Sequence, residues 1–231
     1  SFVPYLLTGE RWIYDNLMAQ GSHSIMAVWP SPRGSEAGLV IPDNQLRGTA
    51  WSMRQIDHAA WAAVDGSAEQ DYFSRKLAGN WEWLLSKIPE WTGTWGEIAG
   101  FVPSAGTERL QVWQMNLLAT VTALSAARGN EEARQALDFM SDFMLGLIEA
   151  TDAGLGPRYA GLVSIPLKLD GQPIDTWAEL AEGLAREGRL IDTGFAAGEL
   201  EYQRIAISAL SMAYRVTGEE RFKDAVETYL A

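Results

Sequence analysis

Arg128-Gly129-Asn130-Glu131-Glu132 separates two stretches with helical periodicity, and its reading decides the fold. Before it, from Glu108 to Ala127, Leu110, Trp113, Leu117, Val121 and Leu124 form one stripe, and Val112, Met115, Ala119, Thr122 and Ala126 form a second. A helix apolar on most of its circumference is a buried one. After it, from Glu131 to Glu149, Ala133, Ala136, Leu137, Met140, Met144 and Leu147 lie on one side, with Glu132, Arg134, Gln135, Asp138 and Asp142 largely on the other. That pattern covers a core on one face only. The five residues between therefore read as a turn from an inner to an outer helix, with the acids where the outer helix dipole favours them.

The phrase recurs at Thr8-Gly9-Glu10-Arg11, Asp65-Gly66-Ser67-Ala68-Glu69 and Thr217-Gly218-Glu219-Glu220-Arg221. Four like turns imply four copies of one helical hairpin. Gln45 to Val64 and Tyr202 to Val216 read as further inner helices. Ala68 to Ile88 and Glu219 to Tyr229 read as their outer partners. The remaining connections are long: Gly21 to Asn44, Trp91 to Gly106 and Thr151 to Gly198. The last predicts a β-hairpin over Val163 to Leu169 turning at Asp170-Gly171, then a helix from Trp177 to Glu187. Asp175 or Thr176 would cap that helix, with Glu179 completing the box. Long loops on a rigid scaffold are where function concentrates.

The 231 residues suit one large domain, and a single helical-hairpin domain over 1–231 is the expectation. The 47% apolar and 21% charged shares are globular. No tract approaches a membrane span, and no basic-then-apolar leader opens at Ser1. A soluble protein follows, its compartment open. Zero cysteine excludes disulfides and thiolate sites, and two histidines exclude a histidine-rich metal centre; a carboxylate calcium site stays open, though no Asp-x-Asp-x-Asp-Gly loop occurs, and neither a metal nor a cofactor is the expectation. A net charge of −12 disfavours nucleic acid and anionic membranes.

This layout resembles the (α/α) toroids, which include the six-hairpin glycosidases and several polysaccharide lyases. The resemblance rests on Thr8 to Gln20, Gln45 to Trp91, Glu108 to Leu147 and Tyr202 to Ala231. It implies an all-α array of antiparallel helical hairpins forming an incomplete (α/α) toroid, with a short β-hairpin in the 151–198 insertion. Almost no inner helix precedes Gly9-Glu10, so a complete six-pair ring is excluded. The chain reads as a fragment of a longer protein or as an open, shorter array.

In the resembling family the cleft lies at the N-terminal ends of the inner helices. Here those ends hold Asp43, Asn44, Gln45, Arg47, Trp51 and Arg54, then Gln111, Trp113, Gln114 and Asn116, then Glu199, Glu201, Tyr202, Gln203 and Arg204. Polar groups on otherwise apolar helices pair with one another or face a wet cleft. Arg47 and Arg54 either clamp Asp43, Asp57 or a loop carbonyl, or bind a ligand through their planar donors. Glu201 either caps its helix with Tyr202 and Arg204, or pairs with Glu97, Asp43 or Glu199 at the roughly 5–10 Å separation that glycoside cleavage uses. A lyase would use Tyr202 or His23 as base, with Arg47 or Asn116 steadying the enolate-like charge. His58 reads as a core histidine, and His23 sits in a Gly21-Ser22-His23-Ser24 loop.

Ten tryptophans are the compositional outlier. Trp12, Trp61, Trp81 and Trp83 read as helix packing. Trp29, Trp91, Trp95 and Trp177 lie in or beside long loops, where they anchor the loop or stack on a sugar ring. The expected partner is an oligo- or polysaccharide, bound or cleaved through Arg47, Trp51, Arg54, Trp95, Gln114, Asn116 and Arg204. The other reading is a non-enzymatic repeat module that holds a protein or peptide. Nucleotide-loop and serine-elbow motifs do not occur.

Overall fold

All four Gly-carboxylate turns place their glycine in the left-handed region, at φ 65° for Gly9, 73° for Gly66, 92° for Gly129 and 73° for Gly218. A residue with a Cβ is strained there, which is why glycine recurs at this point of each turn. The computed structural model describes residues 1–42, 45–104, 108–190 and 200–230, with the backbone alone at 200, 229 and 230. Among these residues the chain is predominantly α-helical. The turns join α1 (Phe2–Thr8) to α2 (Arg11–Met26), α3 (Leu46–Ala62) to α4 (Ala68–Trp95), α5 (Val112–Ala126) to α6 (Glu131–Glu149), and α8 (Leu200–Thr217) to α9 (Glu220–Leu230). Helix α7 (Trp177–Arg186) stands outside this scheme. No helix among the described residues is long and apolar enough to cross a membrane.

The first and last turns are alike atom by atom. Thr8 and Thr217 donate their hydroxyls back to the carbonyls of Pro4 and Ala213. The same oxygens accept from the amides of Glu10 at 3.3 Å and Glu219 at 3.1 Å. Gly9 and Gly218 donate to the carbonyls of Tyr5 and Tyr214, each at 2.8 Å. The middle turns use other caps. Ser67 Oγ accepts from the Gln70 amide while Gln70 Oε1 accepts from Gly66 N–H, a reciprocal box. Asn130 Oδ1 accepts from Ala133 N–H at 2.7 Å.

The chain divides into two compact units, Ser1–Leu84 and Leu85–Ala231, with the boundary inside the continuous α4. In the first unit α2 packs on α1 and α3. Gly21 makes a close approach possible, since a Cβ there would lie 2.8 Å from the Phe73 ring and 3.0 Å from Ala59 Cβ. Helix α2 therefore runs through residues 21–24, where the sequence predicts a loop, and His23 belongs to its last turn. Phe2, Leu17 and Ala62 form a small core that Tyr5 and Met18 cover.

In the second unit α5 packs on α6 and α8, and α9 packs on α8 and α6. No residue of α5 is exposed, as its two apolar stripes require. Helix α6 is buried more widely than a one-face pattern predicts. Phe143, Met144, Leu145, Leu147 and Ile148 are all buried, because the 96–98 and 157–159 turns pack on it besides α5 and α9. Conversely, α8 buries one face, Gln203, Ala206, Ala209, Leu210 and Ala213, and leaves Ile205 and Met212 partly exposed. Helix α4 continues to Trp95 despite Pro89, whose missing N–H leaves one carbonyl of the helix without its usual partner. Trp91, two residues on, is buried.

Short strands organise the long connection. β1 (Arg109–Leu110) pairs antiparallel with β2 (Ile165–Pro166), and β3 (Lys168–Leu169) with β4 (Gln172–Pro173). The turn falls at Asp170-Gly171 as the sequence predicts, with φ 50° and 81°, the two positive values a tight hairpin demands. Its first strand is shorter than the predicted 163–169, because residues 165–166 pair instead with β1. Thr176 caps α7 by accepting from the Glu179 amide, and Glu179 Oε2 accepts from Asp175 N–H at 3.1 Å.

Candidate functional site

Along α3, positions 47, 51 and 54 recur at helical spacing, so Arg47, Trp51 and Arg54 share one face of a helix whose other sides, Leu46, Ala50, Met53 and Ile56 among them, are buried. His58 and Trp61 extend that stripe. Trp51 is 44% exposed, and the Arg54 guanidinium carbon lies 4.0 Å from its ring centroid. Arg54 Nε is buried with no hydrogen-bond partner among the described residues. Burial also lowers the Arg54 pKa from its ordinary value. A guanidinium stays charged in proteins, so this is a partly desolvated cation within cation–π distance of an indole. Farther along, Phe2 stacks on His58 with centroids 4.0 Å apart and meets the Trp61 ring edge-on.

The candidates of the second unit group differently. Gln114 and Asn116 are buried in α5, and Asn116 Nδ2 donates to the Ala160 carbonyl at 2.6 Å. Tyr202 stacks on Trp113 with centroids 5.0 Å apart. Glu201 pairs with Arg204 at 3.4 Å, the two side chains 79% and 77% exposed. Such a pair contributes little stability. Trp95 packs beside Phe101, and Trp177 on Phe143 and Gly146. Asp43 and Glu199, weighed as acid partners, lie outside the described residues.

Glu97 has carboxylate neighbours that the sequence did not indicate. Its amide donates to the Asp175 carbonyl at 2.7 Å. The Asp175 carboxyl is raised, first by the charge of Glu179, with Glu97 adding to the effect. Glu179 is lowered, first by its bond from the Asp175 backbone amide. From sequence, Asp175 and Glu179 were legible only as helix caps. The approach of Asp175 to Glu97 depends on the segment before α7 folding back on the end of α4.

Trp12 and Trp61, predicted to pack between helices, are largely exposed, whereas Trp81 is fully buried. Trp12 lies with Val3, Leu6 and Leu7 among the exposed large apolar side chains of α1 and the start of α2.

Each unit has a cleft that none of these candidates lines. In the second unit a cavity of about 480 Å³ is bordered by Phe139, Asp138, Asp142, Glu219 and Arg221. Arg221 is held by two bonds to Glu149, at 3.1 and 2.7 Å. Burial raises Asp142, with Arg221 opposing and Asp138 adding. In the first unit a cavity of about 340 Å³ lies between α4 and the 33–38 segment, bordered by Met26, Arg33, Glu36, Tyr72, Arg75 and Lys76. Asn80 fixes the start of its wall. Fully buried, it accepts from Val40 N–H at 2.8 Å and donates to the carbonyls of Gly38 at 3.2 Å and Lys76 at 2.9 Å.

Asn80→Ala strips Val40 N–H and Gly38 C=O of these bonds and is expected to cost about 2–4 kcal/mol. Urea unfolding checks the loss, and faster hydrogen exchange at Val40 checks its location.

The comparisons with protein-family models, with curated proteins and with solved structures give no match. The functional reading therefore rests on the geometry of these side chains.

Proposed function

We propose that the chain is a carbohydrate-binding helical-hairpin domain that takes an oligo- or polysaccharide on the Arg47–Trp51–Arg54 face of α3. One observation carries this reading: an exposed indole has a partly buried guanidinium 4.0 Å from its ring centroid. An indole offers an apolar face to the C–H side of a sugar ring, and a guanidinium offers several directed N–H donors to its hydroxyls or carboxylate. Arrangement of the hairpins as an incomplete (α/α) toroid is part of the proposal, supported by the matching turns at Thr8-Gly9-Glu10 and Thr217-Gly218-Glu219.

Cleavage is a separate part of the proposal, with Glu97 beside Asp175 in the second unit as its carboxyl pair. Glu201, Tyr202 and His23 are the further acid–base candidates. The exposed Val3, Leu6, Leu7 and Trp12 favour a second reading, a surface for a protein or peptide partner.

A glycan array probed with the full chain, followed by product analysis on each bound polysaccharide, tests the proposal. Binding to a defined glycan class is expected. New reducing ends would indicate a hydrolase, and unsaturated uronate ends a lyase. An array with no bound glycan removes the carbohydrate reading and leaves the protein-partner surface.

A further inference from the structure

We propose that the cleft between α4 and the 33–38 segment of the first unit binds the anionic group, carboxylate or phosphate, of a small ligand. The proposal does not rest on the α3 face and concerns different residues. Arg33, Arg75 and Lys76 are half of the cations in residues 1–84, the others being Arg11, Arg47 and Arg54. In a chain of net charge −12, these three border one cavity with a single carboxylate, Glu36, in its wall.

Among the described residues, none of the three charges is neutralised in a buried pair. Arg33 Nε donates to the Ser35 carbonyl at 3.2 Å, and Nη1 makes long approaches to Met26 Sδ at 3.4 Å and the Val28 carbonyl at 3.5 Å. All of these acceptors are neutral. Lys76 donates to the Glu36 backbone carbonyl, and its ammonium lies 5.2 Å from the Tyr72 ring centroid. Arg75 pairs with Asp71 at 2.9 Å, with both side chains more than three-fifths exposed. An exposed pair of this kind exchanges readily for another anion.

The cleft is also built to hold its cations in place. Asn80 ties Gly38 and Val40 to α4, and the carbonyls of residues 28, 35 and 36 orient Arg33 and Lys76. Ile25, Met26 and Tyr72 supply apolar wall, which strengthens an ion contact relative to open water. A volume of about 340 Å³ suits a ligand of monosaccharide or small-phosphate size. Two guanidinium groups and an ammonium there offer the forked and point-charge donors that carboxylates and phosphates take.

Calorimetric titration of the full chain with inorganic phosphate, and separately with a galacturonate trimer, tests the inference, with sodium chloride at matched ionic strength as the reference. Saturable binding of at least one probe is expected. It should weaken about tenfold or more in Arg75→Ala and in Arg33→Ala. Arg75→Ala should keep the parent's urea midpoint, since the residue is exposed. Binding of phosphate alone identifies a phosphate-bearing ligand, of the uronate alone a carboxylate-bearing one, and of both the shared anion chemistry. Trp51→Ala should leave phosphate binding unchanged, which separates this cleft from the α3 face. The inference is overturned if neither probe binds above the chloride reference, if Arg75→Ala binds like the parent, or if Trp51→Ala alone abolishes binding.

Discussion

Gly100→Ala is expected to lower the thermal midpoint of the second unit by about 6–20 °C, from a loss of about 3–5 kcal/mol. Gly100 has φ +114°, and a Cβ there would lie 2.6 Å from Phe143 N, 2.8 Å from the Phe139 carbonyl oxygen and 2.9 Å from Phe143 Cβ. Two of these three are backbone atoms of α6, which cannot move without disturbing a helix buried along most of its length. The left-handed backbone adds its own strain. Gly146→Ala provides the contrast. Its Cβ would fall 2.1 Å from Trp177 Cζ2, but the obstacle is a side chain, and alanine regains about 1 kcal/mol of helix propensity. Thermal unfolding followed by circular dichroism should therefore rank Gly100→Ala well below Gly146→Ala. A Gly100→Ala midpoint within 2 °C of the parent (roughly 1 kcal/mol or less) would contradict the packing of residues 96–102 on α6.

Trp51→Ala is expected to weaken binding of the glycan identified on the array by about 30-fold or more. A stacking aromatic in a sugar site carries a large share of its apolar contact, and in this chain it also supports the Arg54 guanidinium. Arg54→Ala removes the cation and leaves the ring, so its loss should be smaller for a neutral glycan than for a uronate-containing one. Trp12→Ala serves as the control, being 69% exposed at the start of α2, on a different helix from the stripe. Calorimetric titration of the three variants checks the order. Equal losses for Trp12 and Trp51 would mean that exposed tryptophans bind glycan without a defined site.

Much of the helical layout was legible because period and turn chemistry agreed. Gly9, Gly66, Gly129 and Gly218 mark helix ends by a left-handed φ that few other residues tolerate, and the apolar stripes of α5 identify a helix with no exposed residue. The errors arose where tertiary packing overrode a local signal. Gly21-Ser22-His23-Ser24 looks like a loop, yet Gly21 sits mid-helix because Phe73 and Ala59 press on it. The sequence ends the outer helix at Ile88, yet α4 continues past Pro89 to Trp95.

The candidate site was legible only in part. Arg47, Trp51 and Arg54 share a face by spacing alone, whereas the unpartnered Arg54 Nε depends on three-dimensional surroundings that spacing does not specify. Arg33 lies about forty residues from Arg75 and Lys76, and no periodicity links a loop cation to a distant helix. Glu97 meets Asp175 only because the long connection returns to the end of α4.

The most direct measurement of the sugar-site claim is a chemical-shift map of the isotopically labelled full chain, titrated with an oligosaccharide drawn from the array. The Trp51 indole N–H and the Arg54 Nε–H resonance should shift first and saturate together, with the neighbouring amides of α3 following. Shifts confined to α1 and the start of α2, or no shift at Trp51 and Arg54 at saturating glycan, would contradict the assignment of the site to α3.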